Sequence, residues 1–225
     1  MAHFYLKFLF TPLYGLYLMI TIYASLVYRQ KQVIKERIDN MAVKSYEAVL
    51  SFWFDPQHVP LHFDENNEFD EKIRREFLET WEAAREGLLV EWRRDIRGRL
   101  AEIIVLDQFS RNLFRNDIRT YTQDRMAIAL SQEVISNPDY HKLTPDEKKF
   151  ILLPFMHSES TKLHDWATKY FEELEDGGGT LYFEKLHREV LDKFGRYPYQ
   201  NEDLGRESTP EELEYLKEKN GNFYG

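Results

Sequence analysis

The sequence predicts an all-α protein of seven to eight antiparallel helices, and three observations carry that expectation. Apolar residues recur every three to four positions along most of the chain, and no stretch alternates with period two for long. Thr144-Pro145-Asp146-Glu147 and Thr209-Pro210-Glu211-Glu212 both read as capping boxes with proline at the first helical position. The segments between periodic runs are short, so successive helices should pack against one another as a bundle or a helical repeat. No strict internal repeat is visible.

The leader, residues 1–40, differs from the rest. Phe8 to Val27 is free of charge and long enough to cross a bilayer as an N-terminal hydrophobic helix. Arg29, Lys31, Lys35 and Arg37 follow it, so the positive-inside rule places the remainder in the cytoplasm and a short N-terminus outside. A rival reading starts the protein at Met41, with Lys35-Glu36-Arg37 encoded by a purine-rich, ribosome-binding-like stretch. Membrane contact is then confined to residues 8–27, and only if they are translated. The leader carries five basic and two acidic side chains, which leaves 25 basic and 37 acidic for a single helical domain over 41–225.

Within that domain, Tyr46, Val49, Leu50 and Trp53 mark a first helix. Phe69, Ile73, Phe77, Trp81 and Ala84 mark a second that ends near Gly87. Leu100, Ile103, Ile104 and Leu106 lie in an almost wholly apolar run, expected to be central and buried. Met126, Leu130, Val134 and Ile135 belong to a helix stopped by Asn137-Pro138. The helix opened by Thr144 is expected to break or kink at Pro154. Leu163, Trp166, Ala167, Tyr170, Phe171 and Leu174 form the next face, followed by a flexible turn at Gly177 to Gly179. Leu186, Val190, Leu191 and Phe194 precede Gly195, which suits a left-handed C-cap. Leu213 and Leu216 lie on the last helix.

Composition narrows the function. The chain has 43% hydrophobic residues, no cysteine and a net charge of −9. Disulfides and thiol chemistry are excluded, and a general phosphate-backbone or nucleic-acid binder is disfavoured. No Gly-rich phosphate loop, dinucleotide fingerprint or nucleophile elbow occurs, so no cofactor is expected.

Three segments set polar groups among apolar ones. In Leu106 to Arg115, Asp107 follows a buried run and needs a partner, for which Arg111 is placed one helical turn on. Leu153 to Glu159 contains His157 and Glu159, which suit an acid and a base; the spacing is wrong for a metal site. Phe194 to Ser208 is a long loop carrying Arg196, Asn201 and Arg206. Its arginines suit an anion, or a carboxylate such as Asp107 or Glu159. Between Lys72 and Lys142 all eleven basic residues are arginine, the residue of bidentate recognition and buried pairing.

Asp107 to Asn112, Pro154 to Glu159, Phe194 to Asn201 and Gly205 to Thr209 together resemble four ordered motifs of domain-of-unknown-function family 924, a bacterial and fungal family. In that family they read Asp-Gln-Phe-Pro-Arg-Asn, Pro-Phe-Met-His-Ser-Glu, Phe-Gly-Arg-Phe-Pro-His-Arg-Asn and Gly-Arg-x-Ser-Thr. The resemblance covers about residues 45 to 216 and implies a tetratricopeptide-like helical fold; it implies no activity. Ser110 replaces the usual proline, and Tyr199 and Gln200 replace the usual His and Arg.

The leading expectation is a site for an anionic small molecule or an acidic peptide or protein partner. It would be lined by Asp107, Gln108, Arg111, Asn112, Arg115, Arg196, Asn201 and Arg206. The alternatives are a hydrolase using His157, Glu159 and Asp107, and a purely structural scaffold.

Overall fold

The computed structural model describes residues 12–39 and 42–219, and helices are the only regular structure among them. The chain divides into two units, one ending at Val43 and one starting at Lys44.

The first unit holds α1 (Pro12–Asp39). The expectation of a membrane-spanning helix over 8–27 is corrected here: no helix among the described residues is long and apolar enough to cross a membrane. The charge-free part of α1 runs only from Pro12 to Tyr28 and is diluted by Gly15, Thr21, Ser25 and four tyrosines. Arg29, Lys31, Lys35, Glu36, Arg37 and Asp39 follow on the same helix, whereas a span needs about 20 predominantly apolar residues. Residues 8–11 of the expected span lie outside the described residues. With no such helix among the described residues, the expected orientation about a membrane has no support from them.

The second unit contains α2 (Tyr46–Trp53), α3 (Asn67–Arg85), α4 (Ile96–Ile104), α5 (Ser110–Leu113), α6 (Asp124–Ile135), α7 (Pro145–Met156), α8 (Thr161–Glu172), α9 (Gly179–Phe194) and α10 (Pro210–Lys219). A π turn, Val105–Phe109, joins α4 to α5 without interrupting the rod. Counting that rod once gives eight helices among the described residues of this unit. Leu100, Ala101, Ile103 and Ile104 have no exposed surface, and α2, α6 and α7 all pack against α4. The apolar run is therefore the axis of the core. From α6 to α9 each helix packs against the next.

Helix ends follow their local chemistry. Thr144 Oγ1 accepts from Glu147 N while the Glu147 carboxylate accepts from Thr144 N, and Thr209 with Glu212 repeats the arrangement at α10. Gly195 closes α9 at φ 70°, where a side chain would be strained. Helix α7 continues through Pro154 and ends two residues later at Met156. The proline sits in the last turn, where the helix is about to stop.

Helix α2 ends differently. Its last carbonyls, Phe52 O and Trp53 O, take His58 Nδ1 and His62 Nε2, each at 2.7 Å. Lys72 Nζ donates to His58 Nε2 at 2.9 Å, so the His58 proton is on Nδ1. His62 stacks on Trp53 with centroids 4.0 Å apart and planes at 3°.

Burial pushes His62 down to about 4, against its bond to Trp53 O. The unfolded ring near 6.5 binds a proton that the folded one refuses. His62 is thus neutral and without penalty above pH 6.5, and it removes stability as pH falls from about 6.5 to 4. That loss amounts to at most about 1.4 kcal/mol per pH unit. A glutamine side chain takes up no proton in that range, so denaturation midpoints of His62→Gln should fall less steeply than those of wild type across the same window.

Gly98 is the second testable point. A Cβ there would lie 2.1 Å from the backbone oxygen of Trp92, in the 3-10 turn Val90–Arg94 that packs on α4. Helix propensity alone favours alanine by roughly 1 kcal/mol. The backbone clash reverses that sign, and Gly98→Ala should cost about 1–3 kcal/mol by urea denaturation.

Candidate functional site

Asp107 lies in the π turn, which inserts a residue relative to α-helical geometry and re-aims the side chains that follow. Its carboxylate is completely buried and takes two hydrogen bonds and an ion pair. Oδ1 accepts from His157 Nδ1 at 2.8 Å and pairs with Arg111 Nη1 at 2.9 Å. Oδ2 accepts from Gln108 Nε2 at 2.5 Å. Burial drives this carboxyl up, but Arg111 and then His157 outweigh it and hold it down at about 2. An ionised Asp107 only accepts, so the His157 proton in this contact is on Nδ1.

Nε2 of His157 is then the open position of the ring. It has no hydrogen-bond partner among the described residues, and the side chain keeps 15% of its surface exposed. His157 sits there because α7 ends at Met156 and His157 is its C-cap.

Arg111 binds two carboxylates. Besides Asp107 it reaches Asp124 through Nη1 at 3.0 Å and Nη2 at 3.2 Å, and it donates to the Asp107 carbonyl at 2.9 Å. Burial would lower the guanidinium, yet the two carboxylates raise it. Asp124, the first residue of α6, is pushed up by burial and by Asp107 against the pull of Arg111. Tyr121 donates to Asp203 at 3.0 Å, and burial followed by that bond raises its hydroxyl. His187 lies with its ring 6.4 Å from that of His157. Burial lowers His187 to about 3, so it is neutral at physiological pH.

The other expected site residues fall into separate groups. Asn112 and Arg115 bind Asp70 of α3, at 2.7 Å and 2.5 Å, and Arg115 also binds the Asp64 carbonyl. Glu159 is not beside His157 Nε2 as an acid partner. It accepts from Arg206 at 2.7 and 2.9 Å and from Tyr197 N at 2.7 Å. Arg196 grips Glu212 of α10 at 2.7 and 2.8 Å, and Asn201 joins it through Ser208 and Glu212. Arg196 and the Thr209 capping bond hold Glu212 down at about 2 despite some burial.

An open cleft of about 650 Å³ lies between the 198–208 loop and α10, walled by Tyr199, Glu202, Arg206, Glu207, Leu213 and Leu216 among others. Of the expected ligand-binding residues only Arg206 lines it. No group of three or more His, Asp or Glu among the described residues is placed to hold a metal ion.

Sequence reasoning missed Asp124, Tyr121, His187 and Tyr197. Asp124 was open to inference, since a buried Arg111 beside one carboxylate still has donors to satisfy. Tyr197 falls within the Phe194–Asn201 motif, but its partners, like those of Tyr121 and His187, are brought to it by tertiary packing.

These features define an all-α bundle with a buried Asp–Arg–His centre at the end of its axial helix. Residues 49–220 match the model of the family described as bacterial protein of unknown function, DUF924, and the chain belongs to that family. A solved structure, a protein of unknown function (ATU0120) from Agrobacterium tumefaciens, is similar at 31% identity. The match covers 77% of this chain and 97% of that one, with a TM-score of 0.71. No curated protein matches the chain.

Removing one member of a buried pair leaves the other uncompensated. Arg111→Ala should therefore cost about 3 kcal/mol or more, since Asp107 has no exposed surface. Arg94, 79% exposed beside Glu91, should change stability by less than about 1 kcal/mol when replaced by alanine. Chemical denaturation of the two variants measures the contrast.

Proposed function

We propose that the chain is a hydrolase-type enzyme in which His157 carries a proton and Asp107 orients it. His157 Nε2 takes it from a water or substrate hydroxyl, Asp107 stabilises the resulting imidazolium, and Nε2 returns the proton to the leaving group. One observation supports this above the rest: a fully buried, ionised carboxylate fixes Nδ1–H at 2.8 Å, while the His157 side chain keeps 15% of its surface and Nε2 has no partner among the described residues. The π turn under Asp107 adds support, because such turns recur at functional sites. Glu159 has no part in the proton transfer, being committed to Arg206 and Tyr197.

The second reading is binding of an anionic small molecule or acidic partner. The cleft beside Arg206 favours it by size. Against it, Arg111, Arg115, Arg196 and Arg206 each already hold a carboxylate, and Glu202 and Glu207 share the cleft wall. The same full pairing is what supports a purely structural scaffold.

The test is a turnover screen with ester, amide, phosphoester and glycoside surrogates on wild type, His157→Gln and Asp107→Asn. Loss of about 10²–10⁴-fold in folded His157→Gln is expected. Equal turnover by that variant, or a wild type silent across the panel, counts against catalysis. An anion that raises the wild-type melting temperature but not that of Arg206→Ala favours the second reading.

A further inference from the structure

His157 lies just beyond a helix, where the backbone has lost its regular ladder. The groups on both sides of it are nevertheless held. Met156 O accepts from Tyr197 Oη at 2.6 Å, and Ser158 O accepts from His164 Nε2 at 2.8 Å. The Glu159 carboxylate takes Tyr197 N and both Arg206 terminal nitrogens. Tyr197 and His164 have no exposed surface. We propose that Tyr197, backed by the His164–Glu184 pair, is the positioning residue that aims the His157 ring at Asp107; this rests on the proton-transfer reading above.

The bonding leaves the bracket little freedom. Ser158 O can only accept, so His164 Nε2 bears a proton. His164 Nδ1 then lies 2.5 Å from Glu184 Oε1, within hydrogen-bond distance. Tyr197 Oη, 3.3 Å from Nε2, receives a share of that donor while giving its own hydrogen to Met156 O. The ring of His187 stands at 89° to that of Tyr197, 5.7 Å away. Glu184 Oε2 is buried with no partner. A buried carboxylate with one oxygen unsatisfied is a costly way merely to fasten a loop. Its expense is explained if the pair fixes Tyr197 and, through it, the peptide that leads into His157.

The experiment is side-chain NMR of ¹⁵N-histidine-labelled protein, with carbethoxylation of the His157 peptide followed by mass spectrometry. In wild type a low-field Nδ1–H resonance, absent from His157→Gln, reports the bond to Asp107. In Tyr197→Phe that resonance should be lost to exchange and carbethoxylation of His157 should quicken. Arg206→Gln, a milder change at the rim of the bracket, should shift both readouts the same way and serves if Tyr197→Phe does not fold. Arg196→Ala loosens the same loop from α10 without touching residues 156–159, and should leave both readouts unchanged. The inference is overturned if folded Tyr197→Phe, or Arg206→Gln in its place, behaves as wild type, or if Arg196→Ala has the same effect. Absence of the resonance in wild type overturns the proton-transfer reading and this inference together; its presence with unaltered variants overturns this inference alone.

Discussion

The burial of the Asp107 carboxylate at the end of the axial helix is the constraint around which the domain is arranged. A charge in that position needs compensation from several directions at once. Gln108 and Arg111 come from its own rod and His157 from the end of α7. Arg111 in turn draws in Asp124 at the start of α6. Three helix ends are thereby tied to one side chain. The helices that bring them there are the same ones that bury the apolar face of α4, so core packing and site assembly are one requirement.

Much of the fold was legible because its signals are local. The 3.6 period, the two capping boxes, Gly195 and Asn137-Pro138 each act within a few residues, and the helices begin and end close to them. Pro154 was less informative, since the last turn of a helix tolerates a proline that its middle would not. The leader misled, because an uncharged run is not the same as an apolar one. Tyrosine, glycine and hydroxyl residues dilute α1, and its charged second half belongs to the same helix.

The site was legible only in part, for a related reason. Asp107, Arg111 and His157 announced themselves as polar groups in apolar surroundings. What the sequence could not reveal is which carboxylate each arginine meets, since Asp70 and Arg115 are 45 positions apart and Glu159 and Arg206 are 47. Part of the run of arginines without lysine finds its explanation in such pairings. Arg93 on Glu102, Arg111 on Asp124 and Arg115 on Asp70 are all two-point contacts to a carboxylate, a geometry that lysine cannot reproduce.

The parallel stack of His62 on Trp53 has an optical consequence. A protonated imidazole against an indole face accepts an electron from the excited ring and quenches its emission, whereas a neutral imidazole does so weakly. His62 stays neutral in the packed protein well below the pH at which a free histidine is charged. In the closed stack the neutral ring therefore quenches Trp53 only weakly, and opening of the 58–62 segment separates the two rings. The chain has four tryptophans, so the Trp53 part of the emission is the part lost in a Trp53→Phe variant.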